Sequence, residues 1–239
     1  MIEELGRRLM FSFSYSESVS SGIASITDND DVTASGALRF FLYVSGGVTK
    51  IAQKNASGTV LQTNSISSGI DTFNVVMGDG NDFFVVDPTM DSVFGTAYYP
   101  YVSGQAGNDT ITTLGGIDEC HGGDGDDTIS SGSSSDLLYG EAGDDSIDGG
   151  ANSDDIDGGA GNDLLNGGSG TGNDRISGGV DNDTLIGGDG ADTLTGADGD
   201  DVLYAYIIGN NNDGKADSLV GGAGTDTLNG TVGQDVLTQ

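Results

Sequence analysis

The stretch Gly-Gly-Asp-Gly-Asp-Asp-Thr-Ile-Ser, residues 122–130, decides how the rest of the 239-residue chain is read. Its first six residues hold three glycines, which are costly to order, and three carboxylates, which repel one another. Numbered as positions 1–9, the stretch places Asp127 at position 6 and Ile129 at position 8. The same register runs outward in both directions.

Position 6 recurs at nine-residue steps as Asp82, Asp91, Pro100, Asp109, Asp118, Asp127, Asp136, Asp145, Asp154 and Asp163. Two extra residues precede Asp174, within residues 167–177. The step then resumes through Asp183, Asp192 and Asp201, breaks at residues 205–211, and returns at Asp217, Asp226 and Asp235. Sixteen of the seventeen units carry aspartate there, and position 8 is apolar in all seventeen, from Phe84 through Cys120 and Ile129 to Leu237. A solvated linker has no reason to keep an apolar residue at a fixed offset from an aspartate, so the period marks a repeat architecture.

Local chemistry turns the period into a structure. Glycines at positions 1, 2 and 4 allow positive φ and close backbone approach, so the first six residues turn. Positions 7–9 alternate polar, apolar, polar and predict a three-residue strand with one side chain facing inward. Two units make one coil of 18 residues, and stacked coils make an all-β fold, a right-handed parallel β-roll (a β-solenoid), over residues 77–238. Residues 31–76 lack the repeat. Within them residues 37–60 read as two strands around Ser45-Gly46-Gly47, part of an irregular β cap over the open N-terminal end of the stack. Residues 1–30 are read as a disordered or targeting segment.

The charge points to a partner. Residues 1–77 hold seven acids and five bases, whereas residues 78–239 hold 31 acids and two bases. That polyanion lacks the clustered Lys and Arg on which nucleic acid and anionic lipid binding depend, so hard cations are its natural partners. No apolar run is long enough for a transmembrane helix. One cysteine excludes an internal disulfide, and one histidine excludes a His-rich metal site. Cys120 and His121 are adjacent but point to opposite faces of a strand, so the expectation is a buried small apolar Cys120 and a solvated His121, not a nucleophile and its base. There is no Gly-x-Ser-x-Gly elbow and no His-Glu-x-x-His helix, and no enzymatic activity is expected. Ice binding is disfavoured because the turns carry Asp124, Ala142, Ala160 and Val180 where a threonine ladder would be needed.

The nonapeptide Gly-Gly-x-Gly-x-Asp-x-U-x, met in full at residues 122–130, 158–166, 187–195 and 221–229, resembles the hemolysin-type, or RTX, calcium-binding repeat of bacterial proteins. The resemblance covers residues 77–238. It implies several calcium ions, each between successive turns on one side of the roll, held by backbone carbonyls and position-6 aspartates. Same-side turns alternate, giving two columns of candidate ligands. One contains Asp109, Asp127, Asp145, Asp163, Asp183 and Asp201, and keeps glycine at position 1 throughout. The other begins poorly with Asp118, Asp136 and Asp154 and improves at Asp174 and Asp192; Asp226 and Asp235 complete the set. The turn glycines included with them are Gly104, Gly107, Gly122, Gly123, Gly125, Gly140, Gly143, Gly158, Gly159 and Gly161. Asp217, after the second interruption, is left out.

Oxygen-only donors of flexible geometry suit Ca²⁺ over Mg²⁺, which holds its waters, and over Zn²⁺, which takes nitrogen or sulfur. Stacked turns bring carboxylates together, and at about 5 Å and an effective dielectric near 20 each pair costs on the order of 3 kcal/mol. One buried aliphatic side chain per unit does not offset that cost and the backbone ordering, so the roll is expected to form only with calcium. The resulting expectation is a secreted or cell-surface calcium-binding β-roll, folded after export, with a type I secretion apparatus or a cell-surface component as partner. The alternative is a noncatalytic RTX module or fragment of a larger secreted adhesin, toxin or hydrolase.

Overall fold

The computed structural model describes residues 13–18, 23–28, 39–45, 48–54, 60–65, 72–86, 99–206, 215–230 and 235–239. Among them there is no helix; the strands form two eleven-stranded sheets, entered alternately by the chain. The first sheet takes strands such as Glu119–Asp124, Leu137–Ala142 and Asp155–Ala160, and the second takes Thr128–Ser130, Ser146–Gly150 and Leu164–Gly168. From Thr72–Val76 onward, strands pair in parallel with the strand one coil later, Cys120 opposite Leu138 and Ile129 opposite Ile147. This is the parallel β-solenoid that the nonapeptide predicts. No described helix is long and apolar enough to cross a membrane.

The core is a double file of position-8 side chains. From Phe84 to Leu219, each of those described is at most 2% exposed, Cys120 included. Leu237 is 41% exposed. The interruptions leave the register intact. Ile156 still pairs with Ile176 across the two-residue insertion, and Leu194 with Leu219 across the longer one. Residues 207–214, which hold most of the second interruption, lie outside the described residues.

Two details differ from the sequence reading. Strands of the first sheet from Glu119–Asp124 to Ser218–Ala223 are six residues long where three were expected, because the turn itself is stacked and paired: Gly123 lies opposite Glu141 and Asp124 opposite Ala142. Position 4 of one turn also donates its N–H to position 3 of the next coil, as in Gly125 N to Ala142 O at 2.6 Å. At the N-terminal end, both sheets are continued by ordered pairing where an irregular layer was expected. Arg39–Ser45 and Val48–Lys54 form an antiparallel hairpin, and the first of them joins Phe83–Val86 in parallel. Phe13–Ser18 and Ile23–Asp28 form another, joined to Thr72–Val76. These last two strands fall inside residues 1–30, where a disordered or targeting segment was expected. At this end each sheet therefore finishes in an antiparallel strand.

Most turn positions 2 and 4 adopt positive φ even where the residue is not glycine, as at Gln105 (80°), Leu114 (80°), Glu141 (77°), Asp181 (81°) and Ala197 (83°). A side chain there is strained relative to glycine. Ala197→Gly relieves the strain and loses only a methyl group. It is expected to stabilise the calcium-loaded protein by roughly 0.5–1 kcal/mol, read as a higher thermal midpoint.

Candidate metal sites in the turns

The position-6 aspartates form two continuous ladders. In the first, the backbone N–H of each aspartate donates to Oδ1 of the aspartate one coil later: Asp82 to Asp109 (2.6 Å), Asp109 to Asp127 (2.7 Å), Asp127 to Asp145 (2.7 Å) and Asp145 to Asp163 (2.8 Å). It continues through Asp183 and Asp201 to Asp226. The second runs from Asp118 through Asp136, Asp154, Asp174, Asp192 and Asp217 to Asp235. The structure thus places every candidate aspartate on one of two lines. It adds Asp217, which the sequence reading omitted and which is 4% exposed, and Asp82 at the start of the first ladder. Asp226 and Asp235 are only part-buried.

The other carboxylate oxygen is the informative one. Oδ2 of Asp109, Asp127, Asp136, Asp145, Asp154, Asp163, Asp183 and Asp201 is buried and accepts no hydrogen bond. Each of these residues is at most 3% exposed. A buried carboxylate oxygen without a partner is costly, and only Arg175 and Lys215 supply positive charge in residues 78–239. The cost is visible in the titration of these groups. Burial, opposed in part by the ladder hydrogen bond, pushes Asp109, Asp145 and Asp183 up to about 7 and Asp154 up to about 8. The same balance takes Asp127, Asp136 and Asp174 up to about 6. Burial raises Asp163 and Asp201 as well.

Position 1 explains why glycine precedes this oxygen. A Cβ on Gly122 would collide with Asp127 Oδ2 and stand 2.8 Å from the carbonyl oxygen of Gly140, one coil later. Gly140 stands in the same relation to Asp145 Oδ2 and Gly158 O, Gly158 to Asp163 Oδ2 and Gly178 O, and Gly104 to Asp109 Oδ2 and Gly122 O. The requirement at position 1 is therefore space beside the carboxylate; positive φ belongs to positions 2 and 4. Glycines at positions 2 and 4 contact the carbonyl of the same position one coil earlier, Gly123 on Gln105 O, Gly159 on Glu141 O, Gly125 on Gly107 O and Gly161 on Gly143 O. The structure brings Gly104, Gly122, Gly140 and Gly158 to the aspartates and leaves Gly107, Gly123, Gly125, Gly143, Gly159 and Gly161 stacked on the neighbouring turns.

A gap lined by a carboxylate oxygen and a carbonyl oxygen, buried and without a base, fits a hard cation. Among the described residues no three Asp, Glu, His or Cys side chains converge on one point, so a cation here would draw its other ligands from the backbone. Calcium accepts that donor set.

A further ladder was missed. Position 5 of the first column carries Asn81, Asn108, Asp126, Asp144, Asn162, Asn182 and Asp200, and most of their side chains accept the N–H of the same position one coil later, as in Asp144 Oδ1 from Asn162 N (2.7 Å) and Asn182 Oδ1 from Asp200 N (2.8 Å). The recurrence of Asn and Asp at that offset was the signal. These side chains line the exposed rim and tie turn to turn without an ion. His121 also departs from expectation. It is half-buried, stacked on Tyr139 with ring centroids 4.6 Å apart, and placed between Glu141 (2.8 Å) and Glu119 (3.2 Å). Cys120 is fully buried, and burial pushes its thiol well up, as expected for an inert core residue.

The family model of the RTX calcium-binding nonapeptide repeat (4 copies) matches residues 89–120, 121–156, 149–171, 169–203 and 213–237, together more than half of the chain. No curated protein matches it.

Proposed function

Because the chain belongs to the RTX calcium-binding nonapeptide repeat family, we propose that its calcium ions are bound at the gaps between successive position-1 glycines and complete its folding. The observation that carries this reading is the line of buried, unpartnered Oδ2 atoms along the first ladder. A bound divalent cation supplies the positive charge that these oxygens lack. The protein's own contribution is positional: the ladder N–H groups hold each Oδ1, aim Oδ2 at the gap, and keep the spacing from coil to coil.

The calcium-loaded roll acts as a secreted or cell-surface module that stays unfolded where calcium is scarce and folds where it is abundant. Extracellular calcium modules typically bind at about 10⁻⁴–10⁻³ M, which supports that division. Catalysis has no place in it, since the ladders account for the position-5 and position-6 acids as structural groups.

Asp127→Asn tests the ligand assignment. The amide keeps the Oδ1 acceptor for Asp109 N–H but replaces the unpartnered oxygen with a donor facing Gly140 O. Equilibrium dialysis is expected to show at least one calcium ion fewer, while the calcium-free chain tolerates the change. An unchanged ion count would remove Asp127 from the ligand set.

A further inference from the structure

The consensus groups Asp118, Asp136 and Asp154 as equally poor turns, yet the structure separates them. Asp154 follows Gly149 at position 1, and a Cβ on Gly149 would stand 2.5 Å from Asp154 Oδ2, so the space beside the carboxylate is open as in the first column, although the three nearest atoms there all belong to Asp154 and none is a carbonyl oxygen of the next coil. Asp118 and Asp136 follow Thr113 and Ser131, both wholly buried. Ser131 Oγ donates to Gly149 O at 2.7 Å, and Thr113 Oγ1 donates to Ser131 O at 3.3 Å. These acceptors are position-1 carbonyls of the next coil, equivalent to the Gly140 O and Gly158 O that border the open gaps. A neutral hydroxyl therefore occupies the place that glycine leaves free elsewhere and satisfies the carbonyl that a cation would otherwise take, while Asp136 Oδ2 stays buried without a hydrogen bond as at the open gaps; the hydroxyl in the gap is what sets these turns apart.

We propose that the residue at turn position 1 decides which gaps take calcium, and that Thr113 and Ser131 close two of them with a hydroxyl so that they take none. The inference rests on the calcium reading above. It makes the start of the second column a clasp that needs no ion, and it assigns calcium to the Asp154 turn despite its poor consensus.

The test is the number of bound calcium ions, measured by native mass spectrometry on the full chain and two variants, with far-UV circular dichroism at saturating calcium to confirm the fold. Ser131→Gly opens a gap between Asp136 and Gly149 O and is expected to bind one ion more than the wild type. Gly140→Ser places a hydroxyl between Asp145 and Gly158 O and is expected to bind one ion fewer. Either count decides alone if the other variant does not fold. A wild-type count in a folded Ser131→Gly or Gly140→Ser overturns the inference while leaving calcium binding intact. A wild-type chain that takes up no calcium overturns the functional reading and this inference with it.

Discussion

Acidification is expected to fold the calcium-free chain. Burial pushes Asp109, Asp145, Asp154 and Asp183 up to about 7–8 in the roll, and Asp127, Asp136 and Asp174 up to about 6, from an ordinary value of 3.8. A carboxyl whose folded pKa is raised contributes its stability fully below the unfolded value and loses it as pH climbs to the folded value. Without calcium the roll is therefore weakest above about pH 8 and strengthens steadily down to about pH 4. In EGTA, far-UV circular dichroism is expected to show little β-sheet at pH 8 and a substantial gain at pH 5, still above the isoelectric point of about 4.1. Calcium takes the place of those protons, so binding at about pH 5, where the calcium-free roll is folded and its buried carboxyls are protonated, is expected to release them, seen as heats that vary with buffer ionisation enthalpy. A calcium-free chain whose β content is constant from pH 8 to pH 5 would sink the idea that the buried carboxylates oppose folding.

Gly123→Val is expected to have the largest effect of any single substitution in the turns. Gly123 sits at φ 120°, and a Cβ there would collide with the carbonyl of Gln105. A β-branched residue tolerates neither that backbone region nor the clash, and the neighbouring atom is backbone held in the sheet. The loss is put at more than about 3 kcal/mol, a fall of about 10 °C in the midpoint of the calcium-loaded protein. Ala197→Gly, at the same turn position, moves the midpoint the other way. If Gly123→Val melted with the wild type, position 2 would not be under the constraint argued from its φ.

Much of this was legible in the sequence because a solenoid turns sequence period into contact. The fixed offset of Asp127 from Ile129 named the core file and the ladder, and the 18-residue coil put Asp109, Asp127 and Asp145 on one line. What a period cannot show is which atom of the next coil a residue meets. Glycine at position 1 looked like a turn former, whereas Gly122 is there to make room for Asp127 Oδ2. Asp217 was dropped because its turn departs from consensus, yet its Oδ1 accepts Asp192 N–H at 2.8 Å. The Ser131 hydroxyl on Gly149 O could not be read from a consensus that scores serine only as a missing glycine. In the stack of Tyr101, His121 and Tyr139, His121 and Tyr139 share repeat position 9 and are paired one coil apart, but Tyr101 joins from position 7, an offset the repeat does not announce.

The most direct test is a calcium titration at pH 7.5 on one sample, followed by calorimetry and far-UV circular dichroism together. The expected result is uptake of several ions at about 10⁻⁴–10⁻³ M, with the β-sheet signal rising from a largely unfolded baseline in step with occupancy. A full β-sheet signal in EGTA that calcium leaves unchanged would contradict a roll whose folding the ion completes.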